Sequence, residues 1–345
     1  MKRNRKVGLL IFMLLLAGCA TVLSDRQGLI SEEFMVPGAD PGVQLYVRNK
    51  RPRSLATFKP DNIVLFVHGA SYPAETSFDL QLDGLSWMDY IASRGYDVYL
   101  MDVRGYGRSS RPKEMDQPAN RNPPIVRTST AARDYEAAVD FVLKRRGVAK
   151  LNVLGWSWGT AIAGLYTSRN NVKVNRLVLY APLWVRQTPS PSDTRGALGA
   201  YRVVTVDNAK KPPTGIPAGK KPMPDAWLEA WLRATFASDP VGAKGKPPFV
   251  RAPNGVELDG REYWSAGKPL YDPANIRVPT MLIVAEWDAD TPVYMAQTLF
   301  PKLVNAEPKR LVVIGEGTHG VMMEKNRLQL FREVQLFLDE PAPEP

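Results

Sequence analysis

The sequence predicts an α/β fold: a mostly parallel central sheet flanked by helices, with a lid inserted after the sixth strand. Three observations lead there. Short continuous apolar runs, rich in β-branched residues, recur along the chain. Stretches with apolar residues at spacings of three and four lie between them. One long interval, residues 185–275, breaks this rhythm. Runs that suit strands buried on both faces, alternating with amphipathic helices, argue for a parallel sheet covered on both sides.

The chain starts MKRNRKVGLLIFMLLLAGC. A basic head precedes an apolar run from Val7 to Ala17. That run is shorter than the roughly 20 residues needed to cross a bilayer, and it fits a secretory signal peptide. Its end, Leu16-Ala17-Gly18-Cys19, resembles the bacterial lipobox. The resemblance implies that residues 1–18 are a signal peptide, cut before Cys19, and that Cys19 is lipidated. Cys19 is the only cysteine, so an internal disulfide is excluded. The expected location is outside the cytoplasm, anchored by lipid to the bacterial membrane. With Ala20 after the cysteine, a Gram-negative host would sort the chain to the outer membrane, facing the periplasm.

Residues 19–30 read as a tether, and residues 31–338 as the folded domain. Two weak strand candidates come first, Glu33–Val36 and Val43–Arg48, with Pro37-Gly38 and Pro41-Gly42 as turn signals. The stronger runs follow. Ile63–Val67 ends at His68-Gly69, Tyr96–Met101 at Asp102, and Leu151–Leu154 at Gly155. Leu177–Tyr180 ends at Ala181-Pro182, Met281–Ala285 at Glu286-Trp287-Asp288, and Leu311–Ile314 at Gly315. Helical spacing places Ala132, Tyr135, Ala138, Val139 and Val142 on one face of residues 129–145. It does the same for Val321, Leu328, Phe331, Val334 and Leu338 over residues 321–338.

The interval from Trp184 to Asn275 shows no buried strand. It carries two Lys-Pro runs, Lys210-Lys211-Pro212-Pro213 and Lys220-Lys221-Pro222, and one clear helix. That helix starts near Pro224-Asp225, where Pro suits the first turn and Asp the positive end of the dipole. Trp227, Trp231 and Ala234 share its face. The Pro- and Glu-rich tail, residues 339–345, is expected to be disordered.

Composition sets the limits. The 345 residues are 44% hydrophobic and 23% charged, enough for a large core without metal or disulfides. The net charge is +10, and Lys2, Arg3, Arg5 and Lys6 supply four of those charges from the signal segment. No basic stripe is interleaved with aromatics, so no nucleic-acid partner is expected. Two separated histidines and no cysteine in the fold cannot build a usual zinc set. Gly105-Tyr106-Gly107 lacks the third glycine of a dinucleotide fingerprint. Neither a metal nor a cofactor is expected.

The chemistry centres on Gly155-Trp156-Ser157-Trp158-Gly159, a G-x-S-x-G between a strand and a small-residue helical run. Such a serine sits strained at the tip of a sharp turn, and the glycines let neighbouring backbone pass closely. The serine needs a base. His68 closes a strand upstream, and His319 lies in Gly317-Thr318-His319-Gly320 after the last strand. An acid is expected between serine and histidine. Asp288 fits, with Asp290 and Glu286 as rivals.

Here the chain resembles the α/β-hydrolase superfamily, in its esterase and prolyl-aminopeptidase-like branch. The resemblance runs over roughly residues 60–335. It rests on His68-Gly69, on Asp102-Val103-Arg104-Gly105-Tyr106-Gly107-Arg108-Ser109, on the Ser157 turn, on Asp288 with Pro292, and on Gly317-Thr318-His319. It implies that Ser157 attacks a carbonyl carbon, that His319 takes and returns the proton, and that Asp288 orients His319. It implies an oxyanion hole from the backbone N–H groups of Ala70 and Trp158. His68 is then structural, turning the chain so that Ala70 faces the site.

Trp156, Trp184, Trp227, Trp231 and Trp287 fall where this fold places its substrate cleft. An aromatic lining suits an apolar acyl or aryl group. The leading expectation is an enzyme that hydrolyses small carboxylic esters. The alternative is a prolyl-aminopeptidase-like serine peptidase acting on short peptides, suggested by the Ser157-Trp158-Gly159 turn. It would need lid carboxylates to bind an amine, and Asp225, Glu229, Glu257 and Glu262 are available. A third reading, a non-catalytic binding lipoprotein, sits poorly with a complete triad.

Overall fold

The structure, a computed structural model, describes residues 21–24, 28–188, 190 and 195–341. Cys19 and the expected signal peptide lie outside the described residues. The strands are β1 (Thr21–Ser24), β2 (Leu29–Pro37), β3 (Gln44–Pro52), β4 (Ile63–Val67), β5 (Asp97–Met101), β6 (Leu151–Trp156), β7 (Val174–Tyr180), β8 (Tyr201–Thr205), β9 (Phe249–Pro253), β10 (Thr280–Ala285) and β11 (Lys309–Ile314). The helices are α1 (Ala74–Phe78), α2 (Trp87–Ala92), α3 (Thr128–Arg146), α4 (Trp158–Arg169), α5 (Val206–Ala209), α6 (Asp225–Ala237), α7 (Gly255–Asp259), α8 (Val293–Leu299) and α9 (Arg327–Asp339).

Nine strands form one sheet in the order β1-β2-β3-β5-β4-β6-β7-β10-β11. From β5 to β11 every pairing is parallel, and β1, β2 and β3 add an antiparallel flank. The expected mostly parallel sheet is therefore present. β4 shows why the continuous apolar runs belong at its centre. Ile63, Leu65 and Val67 face one core layer with α3, α4 and α8, while Val64 and Phe66 face the other with α2 and α9. A strand covered on both sides has no position left for a polar residue.

The predicted face of α3 is buried as the spacing requires: Ala132, Tyr135, Ala138, Val139 and Val142. The helix stops at Gly147, whose φ of 66° is the left-handed cap that glycine adopts without strain.

Four sequence expectations are corrected. Thr21–Ser24, assigned to the tether, form β1 and pair with the edge of β2, whose backbone groups need partners. β11 is an edge strand, so Val313 is 46% exposed and the strand is not buried on both faces. The last helix starts at Arg327, not near residue 321. The Glu324 carboxylate is drawn off to the Thr318 backbone N–H (3.0 Å), and a short 3-10 turn, Val321–Met323, precedes the helix. That helix also runs through Asp339, and Glu340 pairs with Arg310, so order extends into the expected tail.

The insert between β7 and β10 does hold strands. β8 and β9 form a separate antiparallel ribbon, and β9 is mostly buried. The run was not legible because Arg251 interrupts it. That side chain is buried by pairing with Asp239, with Nε 2.9 Å from Oδ2. α6 starts at Asp225 as predicted, but it buries Trp231, Leu232, Thr235 and Phe236. Trp227 is half-buried and so is Ala234.

Candidate active site

One residue, Ser157, separates β6 from α4, so the chain reverses direction at a single position. Its φ of 56° and ψ of −122° are strained for an L-residue. The strain is held from both sides. The Ser157 N–H donates to the Tyr180 carbonyl (2.9 Å), and the Thr160 N–H donates to the Ser157 carbonyl (2.8 Å). Both glycines of the motif are obligatory. A Cβ on Gly155 would stand 2.2 Å from the Gly159 carbonyl oxygen, and one on Gly159 would stand 2.3 Å from that of Val67. The turn closes because neither side chain exists.

His319 follows β11, and Asp288 follows β10. Parallel strands that are neighbours in a sheet end on the same side, which brings the two loops together. His319 Nδ1 lies 2.8 Å from Asp288 Oδ2. The Asp288 carboxylate is buried and held by further donors. Oδ1 accepts from the N–H groups of Asp290 (2.9 Å) and Thr291 (2.8 Å), and Oδ2 from the Thr291 hydroxyl (2.8 Å). The rivals do not bond the imidazole in this way. Glu286 accepts from the Glu316 N–H (2.9 Å), and Asp290 is exposed beside the cavity. Burial alone would lower the His319 pKa. The charge and hydrogen bond of Asp288, with the charge of Asp290, override this and raise it to about 9.

The His319 backbone is clamped as well. Its carbonyl accepts from Trp156 Nε1 (3.0 Å) and from the Tyr180 hydroxyl (2.8 Å). The residue before it, Thr318, is gripped by the buried Glu324 through its N–H and its hydroxyl. Sequence reasoning missed Tyr180, Thr291 and Glu324. Each is ordinary in its local pattern and acquires its role only through long-range contact.

His68 occupies a different position. It is fully buried, and burial drops its pKa to about 4, so it is neutral. Nε2 accepts from the Val103 N–H (3.1 Å), which leaves Nδ1–H to donate to the Gly69 carbonyl (2.7 Å). In a trans peptide the carbonyl and the next N–H point opposite ways. Holding the Gly69 carbonyl thus aims the Ala70 N–H away from His68. The Ala70 carbonyl is fixed in turn by the Tyr106 hydroxyl (2.6 Å) and Arg202 Nη2 (2.7 Å). Tyr106 belongs to the loop 102–109, which is stapled by Asp102 accepting from the N–H groups of Ala74 (2.8 Å) and Arg108 (3.0 Å). Arg104 is buried against Asp134 there (Nε to Oδ2, 2.8 Å).

Ser157, His319, Ala70 and Trp158 line one cavity of about 260 Å³. The insert closes its far side with Arg186, Arg202, Val256, Glu257 and Trp264. Of the predicted tryptophans, Trp156 lines this cavity, and Trp231 lines a neighbouring groove. The other three line neither. Trp184 is core, with its ring 5.5 Å from that of Tyr271. Trp227 carries the Arg327 guanidinium at 4.4 Å. Trp287 is half-buried, and its backbone N–H donates to the Gly317 carbonyl (2.8 Å). Trp264 lines the cavity and was not anticipated, because its segment carries no regular apolar period. Among the lid acids, Glu257 reaches the cavity, 3.8 Å from Arg202. Glu229, Asp225 and Glu262 pair with Arg233, Lys221 and Arg127 instead. Among the described residues, no three His, Cys, Asp or Glu side chains cluster to hold a metal, and no helix is long and apolar enough to cross a membrane.

Residues 62–326 match a family model described as the alpha/beta hydrolase fold. No curated protein matches the chain. Several solved structures are similar. A bacterial membrane phospholipase A, described as a virulence factor, shares 19% identity with a TM-score of 0.58, over 91% of this chain and 86% of that one. A thermophilic esterase from Thermogutta terrifontis shares 16% identity with a TM-score of 0.57, over 89% and 97%. A serine hydrolase from Cycloclasticus zankles shares 17% identity with a TM-score of 0.56, over 90% and 98%. At these identities the likeness is one of fold.

Proposed function

Because the chain belongs to the alpha/beta hydrolase fold family, we propose that it is a serine hydrolase that cleaves carboxylic esters through an acyl-enzyme. The observation that carries this is the Ser157 turn opening onto a cavity that His319, bonded to Asp288, also lines. In the first step the Ser157 oxygen bonds to the carbonyl carbon, and neutral His319 Nε2 takes the hydroxyl proton. The N–H groups of Ala70 and Trp158 receive the oxyanion, each worth about 3 kcal/mol in the transition state. The carbon–oxygen bond to the alcohol then breaks, and His319 returns its proton to the leaving oxygen. Water repeats the sequence and releases the acid, leaving serine and neutral histidine. Asp288 holds the imidazole with Nδ1 as donor and balances its charge while it is protonated.

The test compares variants. Ser157→Ala and His319→Ala should each lower turnover of a p-nitrophenyl butyrate substrate by several orders of magnitude, with the double variant little worse. Asp288→Asn should cost less than either. A fluorophosphonate probe should label the wild type and not Ser157→Ala. Labelling that survives Ser157→Ala, or that vanishes in a folded His68→Ala while persisting in His319→Ala, would overturn the assignment. The peptidase alternative is weaker, because Glu257, the lid acid that reaches the cavity, already faces Arg202. Faster turnover of a proline amide than of any ester would reverse that order.

Cys19 is proposed as the lipid anchor on the lipobox motif. Cys19→Ser should abolish fatty-acid labelling and membrane retention in a native host. Labelling that persists would place the anchor elsewhere.

A further inference from the structure

We infer that a groove beside His319 binds the leaving alcohol of the substrate, and that this alcohol is an apolar chain ending in an anion. The inference rests on the proposed hydrolase reading and names the substrate class for the same site.

Two cavities meet at the triad. The first, about 260 Å³, holds Ser157 and both proposed oxyanion donors. The second is a groove of about 540 Å³ between the 208–223 segment and α6. The two share Tyr72, Trp156, Asp290 and His319, but Ser157, Ala70 and Trp158 belong to the first alone. Their division follows from the proton path. The acyl carbon must sit between Ser157 and the oxyanion donors. The leaving oxygen must sit where His319 can protonate it, and the groove starts at His319. The small cavity therefore takes a short acyl group and the groove takes the alcohol.

The groove's chemistry describes that alcohol. Its walls are Ile216, Met223, Leu228, Trp231 and Met323, which suit a hydrocarbon chain. The Trp231 indole N–H is buried with no hydrogen-bond partner, in a side chain only 6% exposed. Charge is distributed unequally. Asp290 and Glu324 stand beside His319, while Lys210, Lys211, Lys220 and Lys221 line the groove and are exposed. Lys220 is paired with Glu316 (3.0 Å) and Lys221 with Asp225 (2.5 Å). Lys210 and Lys211 have no acidic partner among the described residues. An anion is repelled by the carboxylates beside His319 and attracted to the lysines. An amphiphile with a terminal carboxylate, sulfate or phosphate is thus drawn in chain first, with its ester at His319.

Three matched esters test this on the purified full-length chain. The first is the butyrate ester of ω-hydroxyoctanoate, an anionic long alcohol on a short acyl group. The second is octyl butyrate, the neutral ester of an alcohol of the same chain length. The third is monobutyl octanedioate, an isomer of the first with the acyl and alcohol sides exchanged. The first should show about tenfold higher kcat/KM than either of the others, given the modest strength of exposed charge pairs. In Lys210→Glu/Lys211→Glu the anionic-to-neutral ratio should fall to about one or below, and in molar salt the wild-type ratio should shrink. Equal rates for the first two esters, a preference for monobutyl octanedioate, or a ratio indifferent to the double variant would overturn the inference while leaving the hydrolase reading intact. If no ester were cleaved, or cleavage survived Ser157→Ala, the hydrolase reading would fail and the inference with it.

Discussion

Two histidines in one chain are driven in opposite directions, one by its carboxylate neighbours and one by burial. His319 faces carboxylates, which outweigh its burial and raise its pKa to about 9; His68 is buried with no charged partner to offset the burial, and its pKa falls to about 4. The proposed base must be neutral to take a proton, so kcat/KM should rise with pH and level off only near 9. Below that midpoint it should fall about tenfold per pH unit. Asp290 helps to hold the proton by its charge alone. Asp290→Asn should move the midpoint downward in a pH–rate profile, and an unmoved midpoint would assign the whole shift to Asp288. The same shift bears on stability with a definite sign. Protonated His319 favours the fold fully below about pH 6.5, and that contribution disappears as the pH climbs through 9. His68 behaves conversely. The unfolded chain binds a proton near pH 6.5 that folded His68 refuses until about 4, so its contribution is lost on acidification. The pattern of one His at each motif was legible in the sequence. The direction of each shift was not, because it depends on which groups the fold sets beside each ring.

At the scale of elements, the strand–turn–helix around Ser157 is held open by missing atoms. Gly159→Ala would drive a Cβ into the backbone of β4, 2.3 Å from the Val67 oxygen. Equilibrium denaturation should show a loss of about 3 kcal/mol or more; a loss below half of that would mean that α4 can shift without harm. Glu324→Gln keeps the shape but removes the charge that grips Thr318 beside the proposed base. Its expected effect is a lower kcat, through the loop that carries His319; Glu324 also lines the groove proposed for the alcohol, so kcat is the parameter that reads the positioning role. A rise in KM with kcat unchanged would contradict that positioning role. The core strands and α3 were readable because burial on both faces, or on one helical stripe, imposes a period on the sequence. The β8–β9 ribbon was not, because a buried Arg251–Asp239 pair does by pairing what an apolar residue does by composition. The break before α9 escaped for a related reason, since Glu324 turns away to serve the loop.

For the molecule as a whole, ion pairs reinforce the β3–β5 ladder that joins the antiparallel flank to the parallel body. Lys50 on β3 reaches Asp79 and Asp89, each at 2.7 Å, with almost no exposure on either side. Arg48 adds a second link to Asp79 at 2.8 Å. Lys50→Met would leave the buried Asp89 without its cation and Asp79 with Arg48 alone, and should cost about 3–5 kcal/mol of stability. The wild type should unfold in one calorimetric transition, with flank and body together. A separate early transition for the flank would show that these pairs do not couple them.

The sequence by itself determined the α/β architecture, the order of its parallel strands along the chain and the identity of the residues at their ends. It did so because burial on both faces and a one-residue reversal at Ser157 leave few residue types acceptable at those positions. Only the tertiary structure decided which carboxylate meets His319, which tryptophans line the cavity and which lid acid reaches it. Those choices depend on distances between loops far apart in the chain, set by strand order and by how residues 185–275 pack. Side chains without a period of their own carry no local trace of such contacts.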